Sequence, residues 1–167
     1  MSIKNYIGIT MNTNQKKFLV HLHVKQHCLT NKRPKFLVKL NNIIQLNHEL
    51  KNNNELVFTL YANFGENNLS IEFLNKNLND TVINDDHSIK EDLALEIIKL
   101  DIGNINFTDI IKQYNIYQCE DGAIEQTYGY MHKNGIINFN FDCPPFYALR
   151  NLTLINHQQA ANEIITV

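Results

Sequence analysis

The sequence predicts an all-β chain, an antiparallel β-sandwich or jelly roll. Three observations predict it. Apolar residues recur with a period close to two almost everywhere, which is the side-chain period of a strand. Stretches rich in Asn and Gly separate the apolar runs, and these residues favour turns. No long amphipathic helix interrupts the pattern, so about ten short strands remain to be packed, and two stacked sheets bury one face of each.

The elements follow in order. From Phe18 to Cys28, Phe18, Val20, Leu22, Val24 and Cys28 alternate with His21, His23, Lys25 and His27, which reads as a half-buried strand with one wet face. In KFLVKLNNIIQL, two short apolar runs flank Asn41-Asn42. Two adjacent Asn tolerate the left-handed backbone that a tight hairpin turn needs. Glu55 to Tyr61 and Asn68 to Asn75 read as another pair of strands, with NFGENN between them as a loop. Leu93 to Gly103 fits both periods, since Leu93, Ile97 and Leu100 also match helical spacing. A strand is preferred, with Leu93, Leu95, Ile97 and Lys99 on one face and Glu96, Ile98, Leu100 and Ile102 on the other, because the Ile-rich alternation runs on into IGNINFTDII. Asn134-Gly135 is a second hairpin signal, followed by Ile137, Phe139 and Phe141 alternating with Asn138 and Asn140. Pro144 and Pro145 cannot donate to a central ladder and mark an edge, a bend or a loop.

With 167 residues the chain reads as one domain, 1–167, large enough to bury a substantial core. The last stretch, 156–167, reads as a tail or strand that docks on a neighbour, a short helix, or a strand of its own sheet, with no charge after Glu163. Fifteen basic and 17 acidic residues give a net charge of −2, which excludes a binder of nucleic acid through bulk positive charge. With 44% hydrophobic residues the chain is not an acidic disordered segment. No apolar run has bilayer length, and MSIKNYIGITMN lacks the apolar stretch of a secretory signal. The 26 Asn and 21 Ile against 6 Gly and 3 Pro suggest an AT-rich coding sequence, as in an AT-rich bacterium or its viruses. Cys28, Cys119 and Cys143 are odd in number and far apart, which reads as reduced thiols in a protein made in a cytosol.

The candidate chemistry sits in a few places. DTVINDDHSIKED, from Asp80 to Asp92, offers the carboxylates Asp80, Asp85, Asp86 and Asp92. Calcium takes six to eight hard oxygens from such loops, so these four are the candidate Ca²⁺ ligands, although the spacing is not that of an EF-hand. The competing reading is a solvated turn whose carboxylates bond the loop backbone. His21, His23 and His27 share a strand face and read as that wet face rather than as a metal tripod. Glu72, Glu96 and Glu125 do not make a glycosidase pair from sequence alone, because nothing sets their separation. No hydrolase, metalloprotease or phosphate-loop motif is present, so a non-enzymatic protein is expected. Tyr61, Tyr128, Tyr130 and Tyr147 are the candidate aromatic faces for a sugar ring.

The order of elements from Leu56 to Phe107 resembles the calcium-dependent xylan-binding type of carbohydrate-binding module. The matching residues are Phe73, Asn75, Asp80, Asp85, Asp86, Asp92, Leu93, Leu95, Ile97, Leu100 and Gly103. DTVINDDHSIKED is closer still to a variant of that domain in structural proteins of tailed bacteriophages, with His87 where the phage loop usually has Gly. Asn134-Gly135, Phe141, Pro145, Phe146 and Tyr147 are similar to that variant's closing segment. The resemblance implies a sandwich fold, a calcium site in the loop and, more remotely, sugar binding. It implies a virion structural protein, made in the host cytoplasm, at a capsid-decoration, neck, tail or baseplate position. Such a protein would act through contacts with many copies of other virion proteins, with no membrane or nucleic-acid partner. The alternative is a calcium-dependent carbohydrate-binding module adhering to host-surface glycans.

Overall fold

A computed structural model describes residues 14–27, 32–51, 54–114 and 117–144. The expectations placed on Cys28, on Pro145 to Tyr147 and on the 156–167 tail fall outside these residues. The architecture is two antiparallel sheets with one apolar core between them. In the first sheet, β12 (Tyr130–Met131), β8 (Ala94–Ile102), β1 (Gln15–His27) and β4 (Asn54–Asn63) lie side by side, and β9 (Ile105–Asn106) folds back on β8. The second sheet runs β11 (Ile124–Glu125), β10 (Tyr117–Cys119), β13 (Gly135–Cys143), β5 (Gly65–Phe73), β2 (Lys35–Leu40) and β3 (Ile43–Glu49). A separate arm pairs β6 (Val82–Ile83) with β7 (Ile89–Glu91).

Alternation builds the core. Phe18, Val20, Leu22 and Val24 of β1 point inward and are buried, as are Leu69, Ile71 and Phe73 of β5 and Ile137, Phe139 and Phe141 of β13. Each such side chain contributes roughly 1.5–3 kcal/mol by leaving water. Asn41 and Asn42, at φ 50° and 65°, turn β2 into β3 as the two-Asn signal predicts.

Four sequence readings are corrected by the structure. First, β8 is a strand but does not keep one phase. Leu95 and Ile97 are buried, and then Leu100 and Ile102 are buried. Val24 faces Ile97 while His23 faces Lys99, so Ile98 is the extra residue of a β-bulge. The bulge rotates the strand and brings both apolar sets to the same side. Second, the continuation after Gly103 is not extended. Gly103, at φ 64°, turns the chain into β9, and α1 (Thr108–Tyr114) follows. Phe107 and Ile111, four residues apart, are both buried, and the Phe107 ring lies 5.8 and 6.0 Å from those of Phe139 and Phe141. Third, β4 and β5 do not pair with each other. Phe64 alone carries the chain from one sheet to the other, and Gly65 to Asn67 of the expected loop already pair with Cys143 to Phe141. Fourth, Asn134-Gly135 is not a hairpin turn, because β12 belongs to one sheet and β13 to the other.

Gly135 is needed for another reason. A Cβ there would lie 2.5 Å from the Gln118 carbonyl oxygen and 2.8 Å from the Tyr117 ring, so only glycine lets β10 approach β13. Tyr117 is fully buried, and its hydroxyl donates to the Lys133 carbonyl. Burial, with smaller contributions from nearby acidic groups, pushes its ionisation well above the usual range.

The end of the sandwich that holds the β4–β5 corner is closed by amides. Asn67 is 1% exposed. Its amide donates to the carbonyls of Asn63 (2.8 Å) and Gly65 (2.9 Å), and its oxygen accepts from Asn63 N–H (2.9 Å) and the Asn41 amide (3.0 Å). Asn68 N–H donates to the Asn41 side chain, Asn68 to Asn140, and Asn140 to Glu66. A buried polar group that finds all its partners, as Asn67 does, fixes the corner without orphaned atoms.

Candidate functional site

At the opposite end of β5 and β13, three connections meet: residues 74–93, the β10–β11 turn and the β12–β13 crossover. Between them lies an open groove of about 1180 Å³. That volume is above the roughly 300–1,000 Å³ of a small-molecule pocket and suits an extended ligand.

The loop is anchored from its base. Asn75 accepts from Lys35 N–H and donates to the Arg33 carbonyl, both at 2.8 Å. Lys76 N–H then donates to Asn134 Oδ1 (2.7 Å), and Asn134 Nδ2 donates both to the Lys76 carbonyl (3.0 Å) and to Glu120 Oε2 (3.0 Å). Asn134 is therefore a cross-link between three connections. Its amide does side by side what a turn would do along the chain.

On the groove floor Lys76 Nζ donates to Asp92 Oδ1, and Thr81 Oγ1 donates to the same oxygen at 2.7 Å. Both ion-pair side chains are only 11% exposed. One wall is Tyr130 and His132, two residues apart and so on one side of the chain. Their rings are nearly parallel, at 11°, with centroids 6.3 Å apart. The rings of His27 and Tyr130 meet in a T shape with centroids 5.1 Å apart, and His27 Nε2 contacts Glu96 at 2.6 Å. His132 Nε2 lies 3.2 Å from Glu125. Burial raises the ionisation of the Tyr130 phenol, and the carboxylates of Asp92 and Glu96 add to it, so the ring is neutral and keeps its proton. Lys133 bridges Glu125 (3.0 Å) and Asp121 (3.2 Å), and these contacts hold its ammonium above the usual value. The lining also includes exposed apolar side chains, Leu78 at 97% and Ile89 at 64%.

The four candidate calcium ligands are not gathered round one point. Asp80 ends the short helical turn Leu78–Asp80 and is paired with Lys32. Burial raises its carboxyl, but hydrogen bonds from Lys32 and from Asn77 N–H outweigh this and leave it below the usual value. Asp85 and Asp86 lie at the exposed tip of the β6–β7 arm. Asp86 accepts from the Ser88 hydroxyl (2.5 Å) and N–H (2.9 Å), and these bonds lower its carboxyl. Beside them His87 adopts φ 66°, a left-handed conformation that glycine takes without cost. Asp92 faces Lys76. Among the described residues no group of three or more His, Cys, Asp and Glu is placed to hold a metal ion. Calcium needs six to eight oxygens, and the two best-buried carboxylates already carry an ammonium each, so this donor set as placed does not fit it.

Of the candidate tyrosines, Tyr130 lines the groove. Tyr128 stands beside it, 65% exposed at φ 53°, and Tyr61 lies on β4 near the closed end. Tyr147 is outside the described residues. Glu72 is paired with Lys39, Glu96 with His27, and Glu125 with His132 and Lys133, on three strands of two sheets. His21 sits 3.9 Å from Glu55 on the outer face of β1. The sequence reading missed Lys76, His132 and Asn134. The Tyr130-x-His132 spacing was the available signal for the aromatic wall. Nothing local marks Lys76, whose partner is 16 residues away.

No family model matches the chain, and no curated protein does. Two solved structures are similar to part of it. One is vCBM60 in complex with galactobiose, with a TM-score of 0.49, 9% identity, and coverage of 73% of this chain and 98% of that chain. The other is the selenomethionine form of vCBM60, described as linking two families of calcium-dependent carbohydrate-binding modules by circular permutation. It has a TM-score of 0.49, 10% identity, and coverage of 74% of this chain and 90% of that chain.

Proposed function

We propose that this sandwich is a non-catalytic carbohydrate-binding module whose ligand lies in the groove between Tyr130 and Leu78. One observation carries the reading: a parallel Tyr130–His132 wall lines the same groove as a floor where ammonium, carboxylate, hydroxyl and amide groups alternate. A pyranose has apolar C–H faces and an edge of hydroxyls, each both donor and acceptor. The wall and Leu78 suit the faces, and the floor suits the edge. The test is affinity electrophoresis in gels containing soluble polysaccharides. Retardation by at least one of them, lost on Tyr130→Ala with the fold intact, is the expected result. Unretarded migration in all of them rejects the reading.

A second reading, a virion structural protein acting by contact with other virion proteins, would use a different surface. Leu19, Val57 and Tyr61 are 49%, 55% and 42% exposed on the outer face of β1 and β4, and β4 is an edge strand. Apolar area on an open edge suits burial against a partner. Co-sedimentation with phage particles, lost on Val57→Lys, is the outcome expected of it.

A further inference from the structure

We infer that the groove takes a neutral sugar without any divalent cation, through the Lys76–Asp92 pair, which presents a positive donor and a carboxylate acceptor side by side to two adjacent hydroxyls. This rests on the carbohydrate reading above. The loop has the carboxylates of a calcium site, yet a lysine stands at each of the two that are half-buried: Lys32 at Asp80 and Lys76 at Asp92. A metal would have to displace both ammonium groups and would still lack most of its oxygen ligands.

The pair is built to be used as it stands. Asp92 Oδ1 is filled by Lys76 and Thr81, while Oδ2 has no hydrogen bond among the described residues. The lysine ammonium has three donors and spends one on Asp92. Its backbone is clamped on both sides by Asn134, so little freedom remains to be lost on binding. An acceptor oxygen and spare N–H groups therefore lie together on the floor, the pattern that a pair of vicinal hydroxyls completes.

The charge balance selects the sugar class. Lys76 is matched by Asp92 and Lys133 by Glu125 and Asp121, and Glu120, held among the described residues by the Asn134 amide, remains over. A uronate or sulfated sugar would meet no unmatched cation here, and a neutral one would meet no penalty.

The experiment titrates the whole chain with three polysaccharides, a galactan, a xylan and a polygalacturonate, each with millimolar EDTA and with millimolar calcium. Expected is binding to a neutral polymer whose dissociation constant is the same in both conditions. Lys76→Met is expected to weaken it by about tenfold or more. The double variant Lys76→Met with Asp92→Leu leaves no unpaired buried charge, so it keeps the fold. It is expected to lose binding while its melting curve stays cooperative. Neutral binding that vanishes in EDTA and returns with calcium overturns the inference and leaves the carbohydrate reading intact. So does a folded double variant that binds like the parent. Preference for polygalacturonate overturns the neutral class. Failure to bind any of the three in either condition counts against both.

Discussion

At one end of the β5–β13 ladder, the neutral side-chain amides of Asn41, Asn67, Asn68 and Asn140 bond one another and the backbone, that of Asn63 included, and the corner is sealed. At the other end Lys76, Asp92, Lys133 and Asp121 pair around a groove open to solvent. The same two strands carry both. The difference shows how a sandwich separates holding itself together from meeting a ligand. Amides with every partner inside the chain have nothing left to offer. Charged groups with some partners inside keep donors and acceptors in reserve.

Four measurements would break or sharpen that contrast. The largest effect is expected at the closed end. Asn67→Ala removes the partners of Asn63 N–H, two carbonyls and the Asn41 amide, and should cost about 3 kcal/mol in denaturant unfolding. Sugar binding should be unchanged, and a loss of binding there would mean the two ends are not separable. Gly135→Ala forces β10 away from β13 beside the groove and should cost ~2 kcal/mol, read by thermal melting. It should also weaken binding, because Asn134 precedes it. Tyr130→Ala should lower affinity about tenfold with a cooperative melt, since truncating a central aromatic anchor costs more than 1 kcal/mol of binding.

The smallest effect is in pH. Asp80 and Asp121 are held below their ordinary value of 3.8, Asp121 by Ala123 N–H and then Lys133. Lowered folded values mean stability that is complete above 3.8 and lost as pH falls through the lower folded values. The raised value of Lys133 acts the other way, complete below 10.5 and lost above it. Denaturant midpoints should be flat from these groups between pH 5 and pH 9 and fall outside that range. The Asn67→Ala deficit should be constant throughout, because amides do not titrate.

Strand existence was legible because burial imposes a period of two that survives in the sequence, as in β1 and β13. Phase and partner were not. The Ile98 bulge is invisible until β1 is laid beside β8, and Phe64 gives no sign that it carries the chain between sheets. α1 was hidden because seven residues hold too few turns for a helical period to stand out, although Phe107 and Ile111 carry it. At the site, Asp92 and Tyr130 were found by residue type. Lys76 and Asn134 were not, because their roles come from contacts across 16 and 58 residues. Asn134-Gly135 misled for a physical reason: the same two residues serve a turn or a close strand approach, and only the neighbouring β10 decides which.

The crossover from Tyr130 to Gly135 leaves one layer and enters the other. A molecule resting on Tyr130 and Lys76 would thus rivet the two layers, and occupancy would be felt by the whole unfolding equilibrium. At a hundredfold excess over the dissociation constant that is roughly 2.7 kcal/mol. A heating curve run against a panel of saccharides would then report the guest by an upward displacement, before any binding partner is known.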